Sequence, residues 1–214
     1  MRKKVYAYYK PVLSIPQNEE FARAGLWKSS WERAGWECVM LNQSHASSSP
    51  FLPHIINKML VAARNRVGLS EGAAVKLQAR FARWGALFGV GGGWMTDYDV
   101  LNLGFTPAMA DEIEQKTDIA VNTEGPAWIF FASHKEAFEA CKDFAERDLF
   151  KNDKSTNPEP EAKILKIKKN FFKGVDELVH VSGENRSEIM RDLLSQYYGS
   201  SDSPKTSEKP RNRK

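Results

Sequence analysis

The ten residues GGGWMTDYDV, at positions 91–100, constrain the fold of this chain more than any other segment. Three glycines come first and an apolar pair follows. Asp97 and Asp99 come next, with one residue between them. Glycines end a helix readily because they accept the backbone conformations of a helix cap or a turn. The apolar residues after them are typical of a short buried strand. The segment therefore predicts a strand that begins at the glycines and ends at two carboxylates.

Asp97 and Asp99 are candidate ligands for a metal ion. If both side chains turn toward a common point, two carboxylates beside glycine backbone form a hard-cation site of the kind that Mg²⁺ or Mn²⁺ uses while accepting phosphate oxygens. The alternative is an exposed Asp-x-Asp turn after a strand, which is a common use of such triplets.

The composition indicates one globular domain, residues 1–198, and a basic tail. The chain has 214 residues, 42% of them hydrophobic, and a net charge of +4. Residues 199–214 carry five basic and two acidic side chains, so most of the net charge lies in this Ser/Pro/Lys-rich segment. We expect it to be a disordered tail or linker. Because the remaining body is close to neutral, we predict no nucleic-acid partner.

Cysteine content and hydropathy suggest a soluble, cytoplasmic protein. Only Cys38 and Cys141 occur, without a CxxC pair, which argues against a structural zinc site and a disulfide-rich secreted scaffold. No stretch has signal-peptide character or approaches the roughly 20 apolar residues of a membrane helix. We therefore predict no transmembrane segment, and a bacterial or viral context rather than the Golgi lumen.

Apolar periodicity predicts strands that alternate with helices. In addition to the strand before Asp97, we expect strands at residues 5–9, 36–41, 118–121, 128–132 and 178–181. Helices are expected at residues 18–34, 53–67, 73–88, 133–150, 162–172 and 187–198, and irregular segments at residues 42–50 and 101–107. This alternation indicates an α/β sandwich with a mostly parallel or mixed central sheet.

Two segments resemble a known family. Residues 80–100, RFARWGALFGVGGGWMTDYDV, resemble the helix, paired glycines and Asp-x-Asp block of GT-A glycosyltransferases, and in particular the sugar-binding region containing the DXD motif. Residues 26–42 are similar to that family's first helix and second strand, with Trp31, Gly35 and Trp36 at matching positions. The likeness covers roughly the first half of the chain and implies a GT-A-like, Rossmann-like three-layer sandwich.

The resemblance implies a metal-dependent glycosyltransferase. Such an enzyme transfers a sugar from a UDP- or GDP-sugar to a hydroxyl acceptor such as a saccharide, another glycan or a lipid-linked acceptor. In the family, the residues that match Asp99 and often Asp97 hold Mn²⁺ or Mg²⁺ directly or through water, and the metal bridges both phosphates of the donor. A cation is suited to this role because negative charge accumulates on the departing diphosphate.

The resemblance also implies several substrate-binding residues. Arg83 aligns with a helix arginine that faces the donor, although the spacing leaves Arg80 as an alternative. Gly92 and Gly93 would let the backbone pass close to the donor, and Tyr98 lies between the two aspartates. A solvated helix face and a helix cap are the ordinary structural explanations for the arginines and the glycines.

Three other candidates lie far from the aspartates in sequence. Tyr8 and Tyr9 end the first strand, where similar enzymes place the nucleobase, although aromatic residues there often belong to the core. His180 would complete the metal shell, as a histidine from this part of the chain does in some GT-A enzymes; a structural histidine is the alternative.

A general base, if transfer inverts the anomeric centre, is expected among three carboxylates. Glu124 follows a predicted strand in the stretch where relatives place acceptor-side residues, and Asp176 and Glu177 compete with it. A surface carboxylate is the alternative for all three.

Two other classes of function remain open. A haloacid-dehalogenase-like, Mg²⁺-dependent phosphohydrolase also uses Asp-x-Asp after an apolar strand, but it requires this motif near the start of its fold. A non-catalytic carbohydrate- or nucleotide-binding domain would keep the fold and use the basic tail for attachment.

Overall fold

The computed structural model of this chain describes residues 2–11, 16–57, 71–122, 129–146, 171–172, 178–181 and 185–199. Within these ranges the strands are β1 (Lys4–Tyr8), β2 (Glu37–Leu41), β3 (Gly92–Thr96), β4 (Val100–Asn102), β5 (Ile119–Asn122), β6 (Ile129–Ser133), β7 (Phe171–Phe172) and β8 (Leu178–His180). The helices are α1 (Gln17–Arg33), α2 (Gln43–Ala46), α3 (residues 52–57), α4 (Glu71–Gly89), α5 (Pro107–Glu114), α6 (His134–Glu146) and α7 (Arg186–Tyr198).

The central sheet is mixed, which confirms the predicted α/β class. Its six strands have the order β2-β1-β3-β6-β5-β7, and β4 pairs with β8 in a separate two-stranded sheet. Strand β1 is parallel to β2 and β3, whereas β6 is antiparallel to both β3 and β5. Strand β3, which leads to Asp97, therefore lies in the interior of the sheet.

Helices cover both faces of this sheet, because its strands are apolar on both sides. In β1, Val5 and Ala7 point to one core, and Tyr6 and Tyr8 point to the other. This is the two-residue period of a strand. The core that contains Val5 also holds residues of α1, α5 and α7, while the opposite core holds residues of α4 and α6.

Tryptophans dominate the core on the α1 face. Trp36 is fully buried, and its ring lies 5.5 Å from that of Trp31, 6.3 Å from that of Trp94 and 5.6 Å from that of Phe105. Its indole N–H donates a 2.7 Å hydrogen bond to the carbonyl of Phe105. The ring therefore joins α1, β3 and the segment after β4, which follows the two aspartates.

Most of the predicted elements are present with small shifts at their ends. Each of the five strands predicted outside the glycine segment has a counterpart among β1, β2, β5, β6 and β8, with ends within one residue of those expected. Helices α1, α4 and α7 also match their predictions. For the helix predicted at residues 133–150, residues 134–146 are helical as α6, and residues 147–150 lie outside the described ranges. Ser133 accepts the hydrogen bond from the Glu136 amide that its capping pattern predicts. For the helix predicted at residues 53–67, residues 52–57 are helical, and residues 58–67 lie outside the described ranges.

Three predictions of local structure were wrong. Residues 42–50 are not wholly a loop, since Asn42 and His45 form a capping box that starts α2. Residues 101–107 are not wholly irregular, because β4 gains its ladder from β8, about 80 residues later in the chain. Phe171 and Phe172 do not end a helix: they form β7, parallel to β5, and residues 162–170 lie outside the described ranges.

Helix α5 was missed altogether. Thr106 caps its first turn, with its side chain accepting from the Met109 amide at 3.4 Å, and Pro107 occupies the first turn. This pairing of a cap residue with proline is a recognised start signal that the sequence does contain.

No helix within the described ranges combines the length and apolar character that a membrane crossing requires.

We expect Gly92→Ala to destabilise the fold by more than Gly91→Ala does. Both glycines have φ near +90°, so either substitution strains the backbone by about 1–2 kcal/mol. At Gly92 an added Cβ would also lie 2.5 Å from the His134 amide nitrogen and 2.7 Å from the Ala132 carbonyl oxygen, whereas at Gly91 it would meet nothing within 4 Å. Overpacking against backbone adds about 1–3 kcal/mol.

Urea denaturation of the two variants measures this difference. Because the two positions share the same unusual φ, Gly91→Ala serves as the matched control for backbone strain alone. Equal losses of unfolding free energy in the two variants would contradict the packing role assigned to Gly92.

Candidate metal centre

Strand β3 places the first aspartate at the carboxyl end of an interior strand of the central sheet. Asp97 directly follows this strand, and the Val100 amide closes a tight turn by donating a 3.2 Å hydrogen bond to the Asp97 carbonyl. The turn brings Asp97 and Asp99 to the carboxyl end of β3, at which α/β sheets usually bind their ligands. The position predicted for the aspartates, at the end of a buried strand, is confirmed.

The small sheet brings a histidine to the same place. In the antiparallel ladder of β4 and β8, Val100 is the register partner of His180. The Val181 amide donates a 3.0 Å hydrogen bond to the carbonyl of Asp99, which extends the contact by one step. His180 is therefore fixed beside Asp99 by backbone pairing, although 80 residues separate them in sequence.

Asp97, Asp99 and His180 form a group that could hold a metal ion. One potential ligand atom from each residue lies within 4.8 Å of those from the others. The Nε2 atom of His180 is 3.5 Å from Asp99 Oδ1. Two carboxylates and an imidazole suit a divalent ion such as Mn²⁺ better than they suit a soft-metal site built from thiolates.

The burial of Asp99 provides a separate indication that the group binds something. Its side chain is 12% exposed, and its Oδ1 atom is buried without a hydrogen-bond partner. A buried carboxylate oxygen with no donor is costly, on the order of 1–3 kcal/mol or more for a charged group. A cation at Oδ1 would offset this cost, so the residues present fit a divalent metal.

Each aspartate is also paired with an arginine. Arg83, on α4, donates from Nη1 to Asp97 Oδ1 at 2.8 Å, and its guanidinium lies 5.1 Å from the centre of the Phe130 ring. Arg186, the first residue of α7, donates from Nη1 to Asp99 Oδ2 at 2.5 Å. Within the part of the chain that the structure describes, these contacts bring together two carboxylates, one imidazole and two guanidinium groups.

Helix α7 is held against α1 close to this arginine. The Ser187 hydroxyl donates to Glu19 Oε2 at 2.7 Å, and the Ser187 amide donates to Glu19 Oε1 at 3.3 Å. The hydrogen bond from the Ser187 hydroxyl, joined by that from its amide and by nearby arginines, lowers the pKa of Glu19. These bonds fix the start of α7, and so they fix the backbone that carries Arg186.

Among the predicted substrate-binding residues, Tyr9 and Tyr98 lie together. Their rings meet edge to face with centroids 6.1 Å apart, and the Tyr9 hydroxyl donates to Glu20 Oε2 at 2.8 Å. Burial, with a smaller contribution from Glu20, raises the pKa of Tyr98 to about 12. Both phenols therefore stay protonated at neutral pH. Their rings form an aromatic surface next to the aspartates.

Tyr8 and Arg80 are placed differently. Tyr8 is buried in the core on the α4 face, where its hydroxyl donates to Gln43 Oε1 at 3.0 Å, and burial raises its pKa to about 12. Arg80 is half-buried on α4, one turn before Arg83. Arg83 is hydrogen-bonded to Asp97, and a role for Tyr8 or Arg80 in substrate binding stays a prediction.

The contacts of Gly92 and Gly93 are with the protein itself. An added Cβ on Gly93 would lie 2.9 Å from the ring of Tyr6, and the same position on Gly92 is filled by backbone of β6 and α6. Both residues stand at the start of β3, and the five-residue rise from Gly92 to Asp97 spans about 16 Å. Packing alone accounts for glycine at these positions, and their predicted contact with a donor stays a prediction.

The predicted general bases Glu124, Asp176 and Glu177 lie outside the described residues. Arg186 is a site residue that sequence reasoning missed. No local pattern connects it with Asp99, because 87 residues separate the two side chains.

Neither protein-family models nor curated proteins give a match to this chain.

Proposed function

We propose that this chain is a metal-dependent glycosyltransferase with a GT-A-like fold that uses a nucleotide-sugar donor. The observation that carries the proposal is the buried Oδ1 atom of Asp99, which accepts no hydrogen bond and lies beside Asp97 and His180 at the end of an interior strand. It adds to the resemblance of residues 80–100 to the glycine and Asp-x-Asp block of that family.

The charges of the centre favour an anionic ligand. Arg83 and Arg186 each place a guanidinium within hydrogen-bond distance of an aspartate. A divalent cation added to two carboxylates and two guanidinium groups leaves two positive charges in excess. A diphosphate supplies the opposite charge, and it also provides the hard oxygen atoms that Mg²⁺ and Mn²⁺ prefer.

Asp97, Asp99 and His180 would hold the metal, and each is kept in place by a different element. Asp97 is oriented by Arg83, Asp99 by Arg186, and His180 by the ladder with β4. When bound, the metal would neutralise charge on the departing diphosphate.

The remaining residues of the site would bind the rest of the donor. Tyr9 and Tyr98 offer aromatic surface near the aspartates, which suits a nucleobase or a sugar ring. The acceptor-side base remains assigned to Glu124, Asp176 or Glu177. A glycan or a lipid-linked saccharide is the proposed acceptor.

A panel of UDP-, GDP- and dTDP-sugars, each tested with and without Mn²⁺, is the experiment that tests this function. We expect one donor to raise the melting temperature only when the metal is present. At a ligand concentration 100 times the dissociation constant the gain is about 2.7 kcal/mol, or roughly 5–10 °C for a domain of this size. The same donor should then be hydrolysed or transferred in a metal-dependent manner.

Other results of this panel would favour other functions. Metal-dependent hydrolysis of p-nitrophenyl phosphate would favour the phosphohydrolase of the haloacid-dehalogenase type. Stabilisation by a saccharide or nucleotide that survives chelation would favour the binding domain. Stabilisation by no nucleotide sugar, with or without metal, would contradict the proposed transferase.

A further inference from the structure

Arg186 neutralises the charge of Asp99, the more buried of the two carboxylates that would hold the metal. Its Nη1 atom lies 2.5 Å from Asp99 Oδ2, while Asp99 Oδ1 faces His180. The second aspartate is also neutralised, since Arg83 Nη1 lies 2.8 Å from Asp97 Oδ1. Within these two ion pairs of described residues, the formal charges of the two arginines and the two aspartates therefore cancel.

A centre with cancelled charges attracts a bare divalent cation weakly. Two carboxylates alone would draw the cation in, but two guanidinium groups beside them repel it, and burial strengthens both effects. An ion that arrives together with an anionic group meets no such obstacle, because the guanidinium groups attract the anion. The arrangement therefore favours binding of a cation together with its anionic group over binding of the cation alone.

Of the two arginines, Arg186 is the one placed to meet a ligand. Its side chain is 32% exposed, whereas that of Arg83 is 7% exposed and covered by the Phe130 ring. A guanidinium carries five N–H donors in a planar fork, so one group can hold a carboxylate and a phosphate oxygen at the same time.

We propose that Arg186 makes cation binding dependent on the diphosphate, so that the centre takes up a metal–diphosphate complex in preference to the bare metal. This inference rests on the proposed function, since it assigns the same three metal ligands. It adds Arg186 of α7 as a binding residue, and it makes binding of the metal depend on the diphosphate.

Binding of Mn²⁺ to the whole chain tests the proposal without any sugar or turnover. Free Mn²⁺ is followed by electron paramagnetic resonance, with and without inorganic pyrophosphate, against protein-free mixtures that correct for the complex formed in solution. For the unsubstituted protein we expect pyrophosphate to tighten Mn²⁺ binding by about tenfold or more, within the usual range of coupling between two ligands. For Arg186→Gln we expect tighter binding of Mn²⁺ alone, by about tenfold, and loss of most of the gain from pyrophosphate.

Two further variants keep the test decisive. Arg191→Gln removes a positive charge from an exposed position on the same helix, and it should behave like the unsubstituted protein. Arg186→Lys keeps the charge without the planar fork, so it should bind Mn²⁺ alone as weakly as the unsubstituted protein does. Weaker or unchanged binding of Mn²⁺ alone by Arg186→Gln would overturn the proposal, as would tighter binding by Arg186→Lys.

The outcomes also separate this inference from the function on which it rests. Coupled binding of Mn²⁺ and pyrophosphate without use of any nucleotide sugar would support the role of Arg186 and contradict the transferase. Metal-dependent use of a donor with no coupling through Arg186 would support the transferase and overturn this inference. Binding of Mn²⁺ in neither condition would overturn both.

Discussion

Asp99→Asn is expected to abolish metal-dependent binding of the donor while leaving the fold intact. The Oδ1 atom of Asp99 is buried and accepts no hydrogen bond, and the substitution removes the negative charge of the side chain without changing its shape. Loss of a ligand should weaken metal binding by more than about 100-fold, since loss of an outer-shell partner alone costs 10–100-fold. The amide oxygen can still accept from Arg186, so the contact with α7 is retained.

Calorimetric titration with Mn²⁺ in the presence of UDP or GDP measures this loss, and circular dichroism checks the fold. Asp118→Asn is the matched control, because Asp118 is an exposed aspartate that follows α5, outside the metal group. An unchanged metal affinity in Asp99→Asn would contradict the assignment of Asp99 as a metal ligand.

Trp36→Ala is expected to cause the largest loss of stability among single substitutions in the α1-face core. Removing a fully buried indole leaves a cavity between Trp31, Trp94 and Phe105, at a cost of about 3–5 kcal/mol. The carbonyl of Phe105 also loses one of its two donors, and only the hydrogen bond from the Asn102 side-chain amide, at 2.8 Å, is retained. A loss of this size corresponds to a fall in melting temperature of roughly 10 °C or more.

Chemical denaturation of Trp36→Ala gives the change in unfolding free energy. Phe21→Ala provides the comparison, because Phe21 is an aromatic residue that is 63% exposed on α1, and its loss should stay within about 0.5 kcal/mol. Similar losses in the two variants would show that the tryptophan cluster does not form the core.

The pairing of β4 with β8 explains why the centre was only partly predictable. Asp97 and Asp99 were found because glycines, an apolar strand and two carboxylates follow one another directly, and each signal is local. His180 was predicted only through the family resemblance, and its contact with Asp99 depends on a backbone ladder between segments about 80 residues apart. No short-range sequence pattern specifies which distant segment will pair with β4.

The sequence by itself determined the α/β class, the order of most helices and strands, and the position of the two aspartates at the end of a buried strand. These features depend on apolar periodicity, helix caps and glycines, which act over a few residues. The tertiary structure alone decided that Arg83 is hydrogen-bonded to Asp97, that Arg186 holds Asp99, and that Gly92 and Gly93 pack against the protein. Those contacts join residues that are distant along the chain, and they form only when burial of both faces of the sheet brings α4 and α7 to the end of β3.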